Sequence, residues 1–200
     1  MSNSINSDPL KGVFVFATGI NQTSAVDFMI MVINWCRDNP GRKLKIILNS
    51  QGGNILDALY MYDQINMLRA AGHHVTVVVH GRSASCAGWL LQAADTRVMG
   101  AHAWLLIHEV SSEMKGTISQ MRAELRRCEQ LQAQTSAILC SRTGHVEHGL
   151  TLDRINKEIE GGIDWWLTAE QALSLGLVDE IEPVQPFASQ PAPASVAQAA

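Results

Sequence analysis

Nowhere does the sequence gather Lys or Arg into a run or a stripe, and its 15 basic residues are outnumbered by 19 acidic ones, for a formal net charge of −4 at pH 7. Nucleic acid, whose phosphates are held by clustered positive charge, is therefore not an expected partner. No apolar run reaches the roughly 20 residues that span a bilayer, so no membrane partner is expected either. The opening residues, Met1-Ser2-Asn3-Ser4-Ile5-Asn6-Ser7-Asp8-Pro9, have neither the basic start nor the apolar stretch of a secretory signal. A cytoplasmic location is the expectation. Cys36, Cys86, Cys128 and Cys140 stand far apart with no Cys-x-x-Cys spacing. They read as free thiols of a reducing compartment rather than as a zinc knuckle or a disulfide framework. Only six prolines interrupt the 200 residues, and no internal repeat is visible.

What is present is a hydrophobic content of 46%, enough for one sizeable core and one domain. The expected boundaries are a short flexible N-terminus at 1–12, a folded body at 13–182, and a Pro/Ala/Ser/Gln-rich tail at 183–200 that is too poor in large apolar residues to pack. Apolar runs at 13–17, 44–48, 75–79, 96–99 and 104–107 read as strands, with a last one at 177–181. Between the first two, Ala25, Phe28, Met29, Val32 and Cys36 recur at helical spacing behind Ser24, which reads as the cap. Ile55, Leu56, Leu59, Tyr62, Ile65 and Leu68 do the same up to Ala71-Gly72. Thr168-Ala169-Glu170-Gln171 is a capping box opening a short helix closed by Gly176. Strands alternating with helices predict an α/β fold with a largely parallel sheet and a site at strand C-terminal ends. A helical pattern over 117–142, with Ile118, Met121, Leu125, Cys128, Leu131 and Ile138 on its apolar side, would be close to about 40 Å long. That exceeds what a compact domain of this size uses, so the helix is expected to project and to pack on another subunit.

The segment Gly81-Arg82-Ser83-Ala84-Ser85-Cys86-Ala87-Gly88 follows the strand at 75–79 and leads into an Ala/Leu-rich helix. A tight small-residue turn lets a ligand approach the backbone, and the free N–H groups of a helix start favour developing negative charge. A serine there is placed to be a nucleophile; the alternative is that Ser83 and Ser85 only cap the helix. Acyl transfer by serine also needs a base, an orienting carboxylate and N–H donors for the oxyanion. Candidates for each fall at element ends: Ser85, His108, Gly52-Gly53 and Asp164. His80 and His108 both end apolar strands, where a satisfied half-buried histidine is the alternative. His73-His74 sits in a Gly-led turn and is expected at the surface, and His102 lies in a link between strands. His145 and His148 are one helical turn apart without a third ligand nearby, so no metal is assigned.

The chain resembles the proteolytic subunit of the Clp protease family, the caseinolytic serine peptidases. Asn49-Ser50-Gln51-Gly52-Gly53 is similar to the family's Asn-Ser-Pro-Gly-Gly turn, and Gly81-Arg82-Ser83-Ala84-Ser85-Cys86-Ala87 to its Gly-Gln-Ala-Ala-Ser-Met-Gly nucleophile segment. Leu106-Ile107-His108 resembles the histidine strand. Asp164-Trp165-Trp166-Leu167-Thr168-Ala169-Glu170-Gln171-Ala172, followed by Leu175-Gly176-Leu177-Val178-Asp179, resembles the segment that holds the aspartate. The likeness runs from about Val13 to Ile181. It implies the Clp and crotonase-like fold of repeated β-β-α units with a projecting handle helix at 117–142. It implies Ser85 as nucleophile, His108 as general base, Asp164 as its orienting partner, and the backbone N–H groups of Gly53 and Cys86 as the oxyanion hole. It further implies a homo-oligomer of heptameric rings stacked as a tetradecamer, acting on peptides and unfolded proteins. No cofactor is implied; ATP is used only by a Clp-type ATPase partner.

Three departures from the family pattern stand out. Gln51 replaces a proline, Glu109-Val110 follows His108 where Gln-Pro is common, and Glu113-Met114-Lys115 lies in a stretch usually richer in glycine. About a dozen residues precede the first strand, fewer than the family commonly has there, which leads to the expectation of a less gated pore. Alternatives at this stage are a phage-type processing protease of capsid maturation, a crotonase-like acyl-CoA enzyme, a non-catalytic ring subunit, and a thiol mechanism through Cys86.

Overall fold

The computed structural model describes residues 8–183. After a 3-10 turn at Pro9–Lys11, the order is β1 (Val13–Phe16), α1 (Gln22–Asp38), β2 (Leu44–Ser50), α2 (Ile55–Ala70), β3 (Val75–Ala84), α3 (Ala87–Gln92) and β4 (Thr96–Gly100). There follow β5 (Trp104–Ile107), α4 (Ile118–Cys140), α5 (Leu152–Ile159), β6 (Trp165–Thr168), α6 (Ala169–Ser174) and β7 (Glu180–Glu182). Strands β1, β2, β3, β4 and β7 lie side by side in that order, all parallel. The expected α/β architecture with a largely parallel sheet is therefore the one observed. In β3 the consecutive residues Val77, Val78 and Val79 are all buried, because helices and loops cover both faces of a central parallel strand. Of the N-terminal segment, residues 8–12 are described and carry the 3-10 turn at Pro9–Lys11; the tail assigned to 183–200 lies, beyond Pro183, outside the described residues.

One feature of β3 departs from the pattern in the sequence and positions the site. The apolar run stops at Val79, yet the strand continues to Ala84. Its first half pairs with β4, Thr76 to Val79 against Thr96 to Met99, and its second half with β5, Arg82 to Ala84 against Trp104 to Leu106. On the other side the register with β2 shifts from Leu48 opposite Val79 to Ser50 opposite Ser83, so β3 carries two extra residues in between. Gly81 absorbs them. Its φ is 80°, and a Cβ there would lie 2.9 Å from Asn49 Oδ1. A glycine that looks like a strand terminator is here a bulge, and it splits the sheet into two limbs. The second limb is β5 with β6, antiparallel, from Trp104 opposite Thr168 to Ile107 opposite Trp165.

The helices start where side chains can take up free backbone N–H groups. Asn21, not Ser24, is the N-cap of α1; its Oδ1 accepts from the Ser24 N–H while Ser24 Oγ accepts from the Asn21 N–H. Thr117 with Gln120 and Thr168 with Gln171 form the same reciprocal box at α4 and α6. In α4 only Thr135, Ser136 and Leu139, near its C-terminal end, are buried. Ile118, Met121 and Leu125 sit on one stripe of the other half at 66%, 45% and 60% exposure among the described residues. Beneath the sheet, buried Arg97 ties β4 to the segment before β7. Its side chain donates to Asp179 Oδ1 at 2.6 Å, to Gln92 Oε1 at 2.7 Å and to the Gly176 carbonyl at 2.9 Å.

Candidate functional site

Ser85 stands at the junction of β3 and α3 with φ of 57°, a left-handed conformation that no other non-glycine among the described residues adopts. Such a conformation costs on the order of 1 to 3 kcal/mol and persists only where its surroundings enforce it. They do so here through backbone contacts. The Ser85 N–H donates to the Leu106 carbonyl at 3.0 Å, and the Gly88 N–H donates to the Ser85 carbonyl at 3.0 Å. From the β2–α2 turn Gly52, at φ of 85°, approaches so closely that a Cβ would lie 2.7 Å from the Ser85 Cβ. The sharp strand-to-helix turn holds the serine out of both elements, at a mouth of the sheet.

Ser85 opens into a cavity of about 70 Å³ that it shares with His108, Gly53, Trp89, Thr135 and Leu139. His108, half-buried, follows the last residue of β5. Asp164, exposed, precedes the first residue of β6. It is not part of the cavity lining; the β5–β6 ladder ends at Ile107 opposite Trp165, and His108 and Asp164 are the residues next to that last pair. Among the described residues no hydrogen bond joins Ser85 to His108 or His108 to Asp164; such bonds commonly tighten only when substrate is bound.

The stretch after His108 is docked along α4 rather than folded into a strand. The Val110 N–H donates to Gln132 Oε1 at 2.7 Å, and Gln132 Nε2 donates to Ser136 Oγ at 2.9 Å. Farther out, Ser112 Oγ donates to Glu124 at 2.9 Å. Hydrogen bonds from Arg127 and Ser112 hold the Glu124 carboxyl down at about 2. A larger groove of about 760 Å³ between α4 and α5, lined in part by Leu125, Cys128, Leu152 and Ile159, continues from the cavity past Val110 and Gln132.

Gly53 supplies a backbone N–H at the cavity edge. Its φ is 152°, and a Cβ would fall 2.0 Å from the Ile20 carbonyl oxygen, so glycine is required. Its N–H donates to Cys86 Sγ at 3.1 Å. Cys86 is fully buried, and burial pushes its thiol up to about 11 against smaller opposing pulls from the Gly53 N–H, its own N–H and the Ser85 side chain. A thiol with that value is almost wholly protonated near neutrality, which argues against the thiol mechanism weighed from the sequence.

The other histidines separate from the site. His73, expected at the surface, is buried instead, because its Nδ1 bonds the Arg42 carbonyl at 3.0 Å. His80 Nε2 pairs with Glu182 Oε2 at 2.7 Å, and His145 Nδ1 bonds the Arg142 carbonyl at 2.9 Å. Among the described residues no cluster of three His, Cys, Asp or Glu could hold a metal ion. Sequence reasoning missed Trp89 and Gln132. Trp89 reads as one more apolar residue of a short helix, and nothing local in the sequence brings Gln132 to the residues after His108.

A sequence profile of the Clp protease family matches residues 8–185. The chain is 28% identical over 171 residues to the ATP-dependent Clp protease proteolytic subunit 4 of Rhodococcus jostii (strain RHA1), covering 84% of this chain and 83% of that protein. It is 27% identical over 155 residues to the ATP-dependent Clp protease proteolytic subunit of Chlorella vulgaris, covering 76% and 71% respectively.

Proposed function

The chain belongs to the Clp protease family of peptidases, and we propose on that premise that it is a serine endopeptidase in which Ser85, His108 and Asp164 act together. Ser85 Oγ attacks the carbonyl carbon of a peptide bond as His108 takes its proton. The carbonyl oxygen, now an anion, is met by the Gly53 and Cys86 N–H groups. His108 then gives the proton to the departing amine, leaving an acyl-Ser85 ester, and water activated by the same imidazole releases the acid and frees Ser85. Asp164 orients the imidazole and stabilises its charged form.

The observation that carries this reading is the meeting of a left-handed Ser85 with His108 and the Gly53 backbone in one cavity. That cavity, about 70 Å³, has roughly half the volume of one that admits benzene. Small side chains are therefore preferred beside the scissile bond. The expected assembly is a homo-oligomer of stacked heptameric rings whose chamber admits peptides and unfolded chains, with a Clp-type ATPase as candidate partner. The exposed stripe of Ile118, Met121 and Leu125 supports a subunit contact through α4.

The test is labelling by a fluorophosphonate, together with mass-spectrometric mapping of cuts in a peptide mixture. Ser85→Ala is expected to abolish both, a loss of about 10⁴-fold or more. Ser83→Ala keeps both, because Ser83 Oγ is buried without a partner and its removal leaves nothing unpaired. Labelling that survives Ser85→Ala refutes the assignment, and cuts clustered after Phe or Tyr refute the size preference.

A further inference from the structure

Four residues, Glu109, Val110, Gln132 and Ser136, face both the cavity of about 70 Å³ at Ser85 and the groove of about 760 Å³ between α4 and α5. The boundary between a small space and a large one therefore runs through them. Two linked hydrogen bonds lie on it. The Val110 N–H, two residues past His108, donates to Gln132 Oε1 at 2.7 Å, and Gln132 Nε2 donates to Ser136 Oγ at 2.9 Å. Gln132 and Ser136 stand four residues apart on α4, and so on one face of it; Ser136 is 3% exposed. With its oxygen bonded to the segment after β5 and its nitrogen to its own helix, the Gln132 amide is held at both ends. Position 110 makes this possible. The proline common there in the family pattern has no N–H to give, and Val110 has one.

We propose, on the serine-peptidase reading, that Gln132 is a specificity-determining residue: its hydrogen bond to Val110 is a crossbar that stops a substrate side chain at the Ser85 cavity and keeps it out of the groove. A side chain seated beside Ser85 has about 70 Å³ before it meets the crossbar. Past it the groove lining includes Leu125, Leu152 and Ile159, apolar surface suited to an aromatic or long aliphatic side chain. To reach that surface, the side chain must part the Val110 N–H from Gln132. An apolar group offers the N–H no acceptor in exchange, and a donor left unpaired in a part-buried place costs more than its bond contributes. A small side chain leaves the crossbar closed and is accepted; a large one has to break it and is refused.

The test compares kcat/KM for two peptides that differ only in the residue before the scissile bond, Phe against Ala, in the unaltered full chain and in three variants. Fluorophosphonate labelling counts the sites able to react in each. Gln132→Ala removes the acceptor, and the Phe-to-Ala ratio is expected to rise about tenfold or more, the least that acceptance of one added methylene makes in an apolar pocket. Gln132→Glu keeps an acceptor at the same reach for the Val110 N–H, and the ratio stays low. Val110→Pro breaks the same bond from its other end and should raise the ratio as Gln132→Ala does, so the outcome does not depend on one α4 variant folding. A ratio unmoved in both Gln132→Ala and Val110→Pro, in protein that labels, overturns the crossbar. A ratio raised equally by Gln132→Glu also overturns it, because the limit then lies elsewhere than in the bond. Two other failures are distinct from these. Absence of labelling in the folded, unaltered protein removes the serine-peptidase reading and the crossbar with it. Efficient cutting after Phe by the unaltered protein removes the crossbar and leaves the serine chemistry standing.

Discussion

Two carboxylates at the residue scale have opposite jobs, and substitution separates them. Asp164 is exposed and lies just before β6, outside its ladder with β5, so Asp164→Asn is expected to leave the fold intact. Its kcat should fall by about 10³- to 10⁴-fold, since an amide neither fixes the tautomer nor stabilises the charged ring. A near-normal kcat would remove Asp164 from the triad. Asp179 is structural. Burial alone would raise its carboxyl, but hydrogen bonds from the Arg97 side chain and N–H, with that residue's charge, outweigh burial and hold it below the ordinary value. A depressed carboxylate adds stability at pH values above its unfolded value of about 3.9, and that stability is lost as pH falls through the folded value. Resistance to urea unfolding should therefore weaken on acidification below about pH 4. Asp179→Asn should cost about 3 kcal/mol at pH 7 by stranding buried Arg97, and should flatten the acid dependence. Unchanged urea midpoints across the series would count against this. Ser85 stood out in the sequence by its small-residue turn ahead of an Ala/Leu-rich helix, and His108 by following an apolar strand. Arg97 did not, because a charge inside a strand pattern says nothing of the aspartate 82 residues away that neutralises it.

Among the elements, α4 was legible at nearly its observed length, because a long apolar periodicity leaves little choice once Thr117 and Gln120 cap it. Of the β5–β6 limb, β5 was legible as the apolar run at 104–107 and β6 was not. β6 has four residues and hides directly before a capping box, so its aromatic pair Trp165-Trp166 carried no alternation to read. The bulge at Gly81 was misleading for the reason that glycine both ends strands and bends them. The exposed half of α4 makes a prediction of its own. Leu125→Asp places a charge on a stripe that is largely exposed among the described residues, so the melting temperature of the separated subunit is expected to hold while sedimentation shifts to smaller species. An unchanged sedimentation coefficient would mean that the stripe joins no subunits.

For the whole molecule, the proposed assembly predicts a particle many times the 21.8 kDa of one chain at micromolar concentration. Casein should be cut slowly without nucleotide, and compact folded proteins not at all. A monomer that cleaves peptides well would sink the chamber while leaving the chemistry standing. The forked sheet has a further consequence for how the molecule fails. Ser85 follows β3 of the main sheet, whereas His108 and Asp164 adjoin the small limb, which pairs with β3 at Arg82, Ser83 and Ala84 and accepts from the Ser85 N–H through the Leu106 carbonyl. Local openings of short ladders lie well below the free energy of global unfolding. Warming should therefore detach base and carboxylate from the nucleophile and release the Ser85 N–H from Leu106. Peptidase activity is expected to vanish reversibly at temperatures where far-ultraviolet circular dichroism still reports an intact core, and coincident midpoints for the two would contradict this. Catalysis and folding would then have separate melting points, set by the unequal grip of one strand on its two neighbours.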